Sequence, residues 1–414
     1  MGSVCTIAVA DYPLGEIKSD PPDDWISFFA PSDFIKQRRQ RSKRNPLIWG
    51  APNAEDSRIR EFVYEYRIPA WVARDRLDLF GYTVDAFDAA YRAWHREETV
   101  THRHIDSPFP LRGIGAARAR RIIGSLVQRR VVHWDKKNNK LTSPESELLD
   151  RIIHNGPPFD TRLLIRAIID HVDPNAQVVV DLTDRVAAGY YRASDAAHFA
   201  SAHAIGGSRI VVLTEGVTDT EVLQKSVALL YPHLSPFFVW PDLTVRAMGG
   251  TSGIEHTLKA LLPLGIRAPM IALFDNDHEG HQTIKRISRT IKLSSNVRLI
   301  AYPDIDSAKA WPTELPTGRS FVDLNRKACS IELYYGSDVL GQGDSRSPVR
   351  WGNAGPLGEG QGSIQGKDVL KGKFVEKARG STPAKLVGDW NDIRKIVSSL
   401  LRPFEITIAI RDEY

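Results

Sequence analysis

The acidic residues best placed to do chemistry in this chain stand immediately behind apolar runs. Glu215 follows Arg209–Leu213 (RIVVL) and Thr214, Asp219 lies four residues further on, and Asp275-Asn276-Asp277 follows Met270–Phe274 (MIALF) directly. Short continuous apolar runs read as strands covered on both faces. In open parallel sheets, ligands sit beyond the carboxyl ends of the strands. Carboxylates leaving two such strands together repel one another unless a cation neutralises them. Oxygen donors without histidine or cysteine suit Mg2+ or Mn2+ over zinc. Capping of helix N-termini accounts for Asp219 taken alone. It accounts less well for a D-x-D and a Glu-Gly at the ends of two buried strands.

The elements that must position these residues alternate along the chain. After the RIVVL run comes a helical stripe of Leu223, Val227 and Leu230, then a strand over Phe237–Trp240 and a helix over Thr251–Leu262. The MIALF strand follows, then a helix through Ile284 and Ile287 and a strand over Val297–Ala301. Alternating buried strands and helices imply right-handed crossovers and a parallel sheet. Upstream, Cys5–Ala10 and Gln177–Leu182 read as strands and Arg130–Trp134 as strand-like, while Glu61–Tyr66, Trp71–Phe80 and Val84–Glu97 have apolar residues at helical spacing. Glu145–His154, Thr161–His171 and the alanine-rich Tyr190–Ala204 read as helices, and so does Trp390–Leu401; Phe404–Ile410 alternates like a closing strand. The expected organisation is a basic α+β domain over residues 1–145 and a mainly helical linker over 146–205. An α/β catalytic domain follows over 206–345, with a C-terminal extension over 346–414 that completes the site.

Composition narrows the class. Hydrophobic residues make up 42% and charged residues 25% of the 414, close to an ordinary globular protein. No apolar run approaches the roughly 20 residues that span a bilayer, and no signal peptide opens the chain, so a cytoplasmic protein without a membrane partner is expected. The two cysteines, Cys5 and Cys329, are too few for a disulfide framework or a zinc cluster. Met1-Gly2-Ser3-Val4-Cys5-Thr6 fits the loose N-myristoylation template, which chance matches often.

The net charge of +5 identifies no partner, but its distribution is uneven. Lys36–Arg44 (KQRRQRSKR) holds six basic residues and no acid, and Arg112–Lys140 holds nine against Asp135 alone. Such runs can neutralise phosphates, although many are merely solvated faces. Gly113-Ile114-Gly115 followed by a basic helix is similar to a helix-hairpin-helix element, whose turn offers N–H groups to a phosphate with Arg118, Arg120 and Arg121 beside it. The Ser107-Pro108-Phe109-Pro110 stretch breaks the first helix such a hairpin needs, which favours an ordinary amphipathic helix.

The segments VVLTEGVTD and, about sixty residues later, ALFDNDHEG resemble the Toprim domain of topoisomerases, bacterial primases and OLD-family nucleases. That resemblance assigns the metal to Glu215, Asp275 and Asp277. It also matches Asp219, Glu332 of the Ser330-Ile331-Glu332 element and Lys367 to the second metal and the transition state of OLD nucleases, with Lys371 and Lys373 competing for the lysine role. Most of the chain is similar to bacterial HEPN/Toprim-associated proteins. The RNPLIWG stretch at Arg44–Gly50, RDRLDLFGY at Arg74–Tyr82, SIELYYGSDVL and QGSIQGK carry this likeness. HEPN ribonucleases use an R-x4–6-H pair. Arg166 to His171 has that spacing, as loosely do Arg96 to His102 and Arg192 to His198, but twelve histidines make chance matches common.

The resemblance implies a Mg2+- or Mn2+-dependent nuclease with two ions, cutting DNA in preference to RNA, with a role in anti-phage defence. Such ions lie about 4 Å apart in two-metal sites. Glu215, Asp275, Asp277, Glu332 and Lys367 would be catalytic. Glu215, Asp219, Asp275, Asp277 and Glu332 would hold metal. No ATP site is present, since Gly366-Lys367 is followed by Asp368 and Gln361 stands where the first P-loop glycine belongs. The competing expectation is a non-catalytic Toprim subunit that binds nucleic acid or scaffolds a defence complex. A homo-oligomer or a defence-system partner is compatible with either.

Overall fold

The computed structural model describes residues 3–104, 109–137, 139–202, 209–241, 249–266, 268–315, 318–351, 362–406 and 410. Two compact units divide the chain: residues 1–208 with 403–414, and residues 209–402.

The first unit is built on a five-stranded antiparallel sheet of β1 (Cys5–Val9), β2 (Tyr12–Ile17), β3 (Phe34–Gln40), β4 (Arg60–Pro69) and β5 (Gln177–Asp181), in the order β2-β1-β5-β4-β3. Strand side chains alternate between faces. Ile7, Val9, Tyr66, Ile68, Val178 and Val180 therefore join one core with the helices Ala70–Leu79, Val84–His104, Ala116–Gln128 and Thr161–Ile169. Residues 146–205 are not a linker between domains. They supply β5, the middle strand of the sheet, and a helix over Thr161–Ile169 in which every residue but Arg162 is buried.

Four local expectations change. Glu61–Tyr66 lies in β4 rather than in a helix. Its aromatic and branched residues suit a pleated surface, and pairing to β3 and β5 outweighs the helical spacing. Val131 and Val132 are buried without forming a strand. The Val131 carbonyl accepts the Tyr12 hydroxyl at 2.6 Å, and the segment continues as a 3-10 turn over His133–Asp135. Tyr190–Ala204 breaks into the short helices Ala193–Ala196 and Phe199–Ala202, and residues 203–204 lie outside the described residues. The expected closing strand at 404–410 has no strand over 404–406, and 407–409 lie outside the described residues. So do residues 1–2 of the myristoylation pattern, while Cys5 is buried in β1.

The second unit contains a parallel sheet of β6 (Ile210–Leu213), β7 (Phe238–Val239), β8 (Met270–Phe274) and β10 (Val297–Ala301), in the order β10-β8-β6-β7. Helices at Val217–Leu230, Gly250–Leu261 and His278–Thr290 connect its strands. All five residues of β8 are buried, as expected of a strand covered on both faces. The short β9 (Asn276–Asp277) continues past β8 and pairs antiparallel with β13 (Ala328–Cys329). A second sheet runs β12-β11-β14-β15, from β11 (Trp311–Leu315), β12 (Gly318–Val322), β14 (Val349–Trp351) and β15 (Gly362–Ile364). Because β11 pairs with β14, the chain on either side of residue 345 shares one sheet, so the unit runs unbroken to residue 402. Among the described residues no helix is long and apolar enough to cross a membrane.

Candidate metal centre

β6 and β8 are neighbours in register, Leu213 opposite Ala272, so the residues leaving their carboxyl ends meet. Oε1 of Glu215 accepts the backbone N–H of Asp275 at 2.9 Å. Asp219 sits in the first turn of helix Val217–Leu230, and its Oδ1 accepts the hydroxyl of Tyr302 at 2.8 Å. Tyr302 follows β10 and is anchored by its own N–H to the carbonyl of Phe274.

Extended backbone at β9 turns alternate residues to opposite sides. Asn276, fully buried, donates to Asp304 Oδ1 at 2.9 Å and meets His281 Nε2 at 2.8 Å. Asp275 and Asp277 are thereby left on the other side. Asp277 also caps helix His278–Thr290, accepting the Gly280 N–H at 2.7 Å. Gly280 is required at that point: a Cβ would collide with the carbonyl oxygen of Asp275. The β9–β13 pairing then delivers the 3-10 turn Ile331–Tyr334, in which Glu332 is buried and accepts Ser330 Oγ at 2.6 Å.

Lys367 opens helix Lys367–Arg379, and its Nζ lies 3.5 Å from Glu332 Oε1. Lys371 is engaged elsewhere, 2.9 Å from Glu221. Lys373 is exposed. Of the three lysines, geometry brings Lys367 to the carboxylates.

The electrostatics show one cluster. Burial, then the charges of Asp219, Glu215, Asp277 and Glu332, raise the Asp275 carboxyl well above its usual range. Burial first, with Asp277, Asp219 and Glu279 adding to it against the Asp275 N–H, pushes Glu215 up to about 8. Asp219 is pushed up to about 6, again by burial first, with the Tyr302 hydrogen bond opposing and Glu332 adding. Asp277 is raised by burial against its Gly280 hydrogen bond. Oδ1 of Asp275 is shut off from solvent and has no hydrogen-bond partner among the described residues. Buried polar atoms are ordinarily satisfied.

A cluster of oxygen donors with an orphaned carboxylate oxygen fits a hard divalent cation. Among the described residues, no group of three or more His, Cys, Asp or Glu is arranged so that it could hold a metal ion. One oxygen of Glu215 is turned onto the Asp275 amide and one oxygen of Asp277 onto its helix cap.

Tyr302 was not evident from the sequence. Its signal is a polar aromatic at the end of the fourth parallel strand, which becomes meaningful only once β10 is seen beside β8. The basic residues of the first unit divide. Arg120 is bound to Asp88 through Nε at 2.7 Å and Nη2 at 3.1 Å, whereas Arg118 and Arg121 are exposed on helix Ala116–Gln128. Arg166 of the R-x-H spacing is held by Asp78 at 2.7 Å and Asp170 at 2.8 Å. The His171 ring lies against Gly124, and burial lowers its pKa.

Residues 1–204 match the family model HEPN/Toprim N-terminal domain 1. The match supports a HEPN/Toprim-associated protein. No curated protein and no solved structure matches the chain. The matched span ends before the second unit begins at residue 209, so the carboxylate cluster lies outside it. The span contains all five strands of the antiparallel sheet and the helix carrying Arg118 and Arg121.

Proposed function

We propose that the second unit is a Toprim domain related to that of OLD nucleases, and that the protein is a metal-dependent nuclease acting on DNA in preference to RNA. The observation that carries this reading is the buried carboxylate cluster, with Asp275 Oδ1 unsatisfied among the described residues and its carboxyl raised by burial and then by four like-charged neighbours. Such an arrangement is stable in its ionised form only beside a cation.

Glu215, Asp275 and Asp277 would hold one Mg2+ or Mn2+ and Asp219 with Glu332 a second. Bound there, these ions would activate water and stabilise the leaving oxygen of a phosphodiester. The remaining roles belong to the chain. Tyr302 fixes the Asp219 carboxylate by donating to one of its oxygens. Ser330 donates likewise to one oxygen of Glu332, whose other oxygen faces Lys367. Lys367, on the exposed side of Glu332, is positioned to offset charge developing on the phosphoryl oxygens. The HEPN/Toprim association supports a nucleic-acid substrate, and anti-phage defence is the setting proposed for it.

A cleavage panel over single- and double-stranded DNA and RNA, with Mg2+, Mn2+ or chelator, tests the reading, with Asp275→Asn as control. Metal-dependent cleavage that Asp275→Asn abolishes is the expected result. Equal cleavage in the variant would overturn it. Metal binding without cleavage of any substrate would leave a nucleic-acid-binding or scaffolding subunit instead.

A further inference from the structure

The basic run Lys36–Arg44 is sorted by the strand that carries most of it. β3 and β4 pair with Lys36 opposite Tyr64, Arg38 opposite Phe62 and Gln40 opposite Arg60, which puts these six residues on one face. Arg39 alternates to the other face, where β4 supplies Glu61 and Glu65. There Arg39 meets Glu65 at 3.0 Å and Glu61 at 3.6 Å, Arg44 meets Glu61 at 2.6 Å, and Arg67 meets Glu65 at 2.6 Å. On the first face Lys36, Arg38 and Arg60 are exposed and have no acidic partner among the described residues. The two strands therefore satisfy their arginines on one side and leave their cations bare on the other.

The bare cations stand beside aromatic rings. Lys36 Nζ lies 5.3 Å from the centre of the Phe62 ring and 5.8 Å from that of Tyr64, and the Arg38 guanidinium lies 4.9 Å from Phe62. The Phe62 and Tyr64 rings are 6.5 Å apart, and Phe62 remains 44% exposed. Toward the core the same face closes. Phe34 packs on Tyr66 at 5.2 Å, and the buried Tyr66 donates its hydroxyl to the Ala196 carbonyl at 2.9 Å. Away from the core it stays open: β5 pairs with β4 only from Glu65 onward, so β3 is the one strand that pairs with Arg60–Val63 among the described residues.

A single exposed aromatic residue is ordinary on a protein surface. An exposed ring set among three unpaired cations, with no carboxylate on the same face, has a more specific complement. A duplex keeps its bases stacked inside and would offer this face phosphates alone. A single strand offers both parts: a base to lie on Phe62 or on the Arg38 guanidinium, and phosphates for the cations around it.

We propose that the β3–β4 face bearing Lys36, Arg38, Arg60, Phe62 and Tyr64 is a binding platform for single-stranded nucleic acid. A base stacks on Phe62, and Lys36, Arg38 and Arg60 hold the flanking phosphates. The choice of nucleic acid rests on the function proposed above, but binding at this face does not depend on cleavage.

The test is fluorescence anisotropy of the full chain in chelator, with labelled oligothymidylate, oligouridylate and a duplex of equal length, at several salt concentrations. At least one of the single strands binds about tenfold or more tighter than the duplex. Phe62→Ala weakens that binding roughly 5- to 100-fold with the salt slope kept, and Phe62→Trp retains it. Lys36→Ala/Arg38→Ala lowers the salt slope by about 1.4, with an unchanged circular dichroism spectrum. No binding of either strand, equal affinity for the duplex, or affinity unchanged in Phe62→Ala would overturn the proposal. So would a dimer in sedimentation velocity that Phe62→Ala dissolves, since it would give the edge strand β3 to a second copy. Cleavage is scored separately in Mg2+ and Mn2+. A nuclease whose affinity survives Phe62→Ala keeps the function and loses this platform, and single-strand binding without cleavage does the reverse.

Discussion

The backbone N–H of Asp275 donates to Oε1 of Glu215 at 2.9 Å, joining two residues that lie sixty apart in sequence. This bond holds the two strand ends together while their carboxylates repel, and Oδ1 of Asp275 is buried with no hydrogen-bond partner among the described residues. The cluster is therefore a source of instability that, on the proposed function, a cation would relieve, and several consequences can be measured.

Stability without metal should fall as pH rises. Glu215 and Asp219 have folded-state values near 8 and 6, above their ordinary 4.5 and 3.8. Between the ordinary and the raised values the folded state binds more protons than the unfolded one, so raising pH favours unfolding. The melting temperature in chelator should drop between about pH 5 and pH 8 and level off above that, by thermal denaturation followed at fixed ionic strength. Saturating Mg2+ should flatten the profile.

Asp275→Asn should raise the melting temperature in chelator at high pH, because it removes a carboxyl whose ionised form is opposed by burial and then by four neighbours. The same variant should lose the stabilisation that Mn2+ confers on the parent protein. A Mn2+-induced shift equal in both proteins would show that Asp275 is not a ligand.

Tyr302→Phe removes the hydroxyl that donates to Asp219 Oδ1 at 2.8 Å. The fold should lose about 1–3 kcal/mol, since a buried acceptor loses its donor. Metal affinity should weaken by roughly 10- to 100-fold, as when the outer partners of ligands are removed. Titration calorimetry with Mn2+ separates the two effects.

The two lysines should behave differently. Lys367→Ala, beside Glu332, should slow cleavage by about 10²–10³ with metal affinity nearly unchanged. Lys371→Ala breaks an ion pair to Glu221 on the surface and should cost no more than about 1 kcal/mol of stability. Single-turnover rates of the two variants decide the assignment.

In the first unit, on the reading that exposed Arg118 and Arg121 contact phosphate, Arg118→Ala/Arg121→Ala should weaken nucleic-acid binding and lower the salt slope by about 2. Arg120→Ala should instead lower stability by roughly 1 kcal/mol through loss of the Asp88 pair, with the salt slope kept.

By itself, the amino-acid sequence determined the alternation of buried strands and helices from residue 209 onward, because strands covered on both faces must be continuously apolar. It likewise placed Glu215 and the D-x-D at strand ends, where backbone direction alone puts them on one side of the sheet. Local pattern was weaker where tertiary pairing decides. Glu61–Tyr66 became a strand because β3 and β5 flank it, and Arg130–Trp134 found no strand partner. The bond from Tyr302 to Asp219, the delivery of Glu332 by the β9–β13 pair, the choice of Lys367 over Lys371 and the capture of Arg120 by Asp88 belong to the tertiary structure alone. Each is set by which distant side chain arrives within hydrogen-bonding distance. That depends on strand order and helix packing, which no local periodicity encodes.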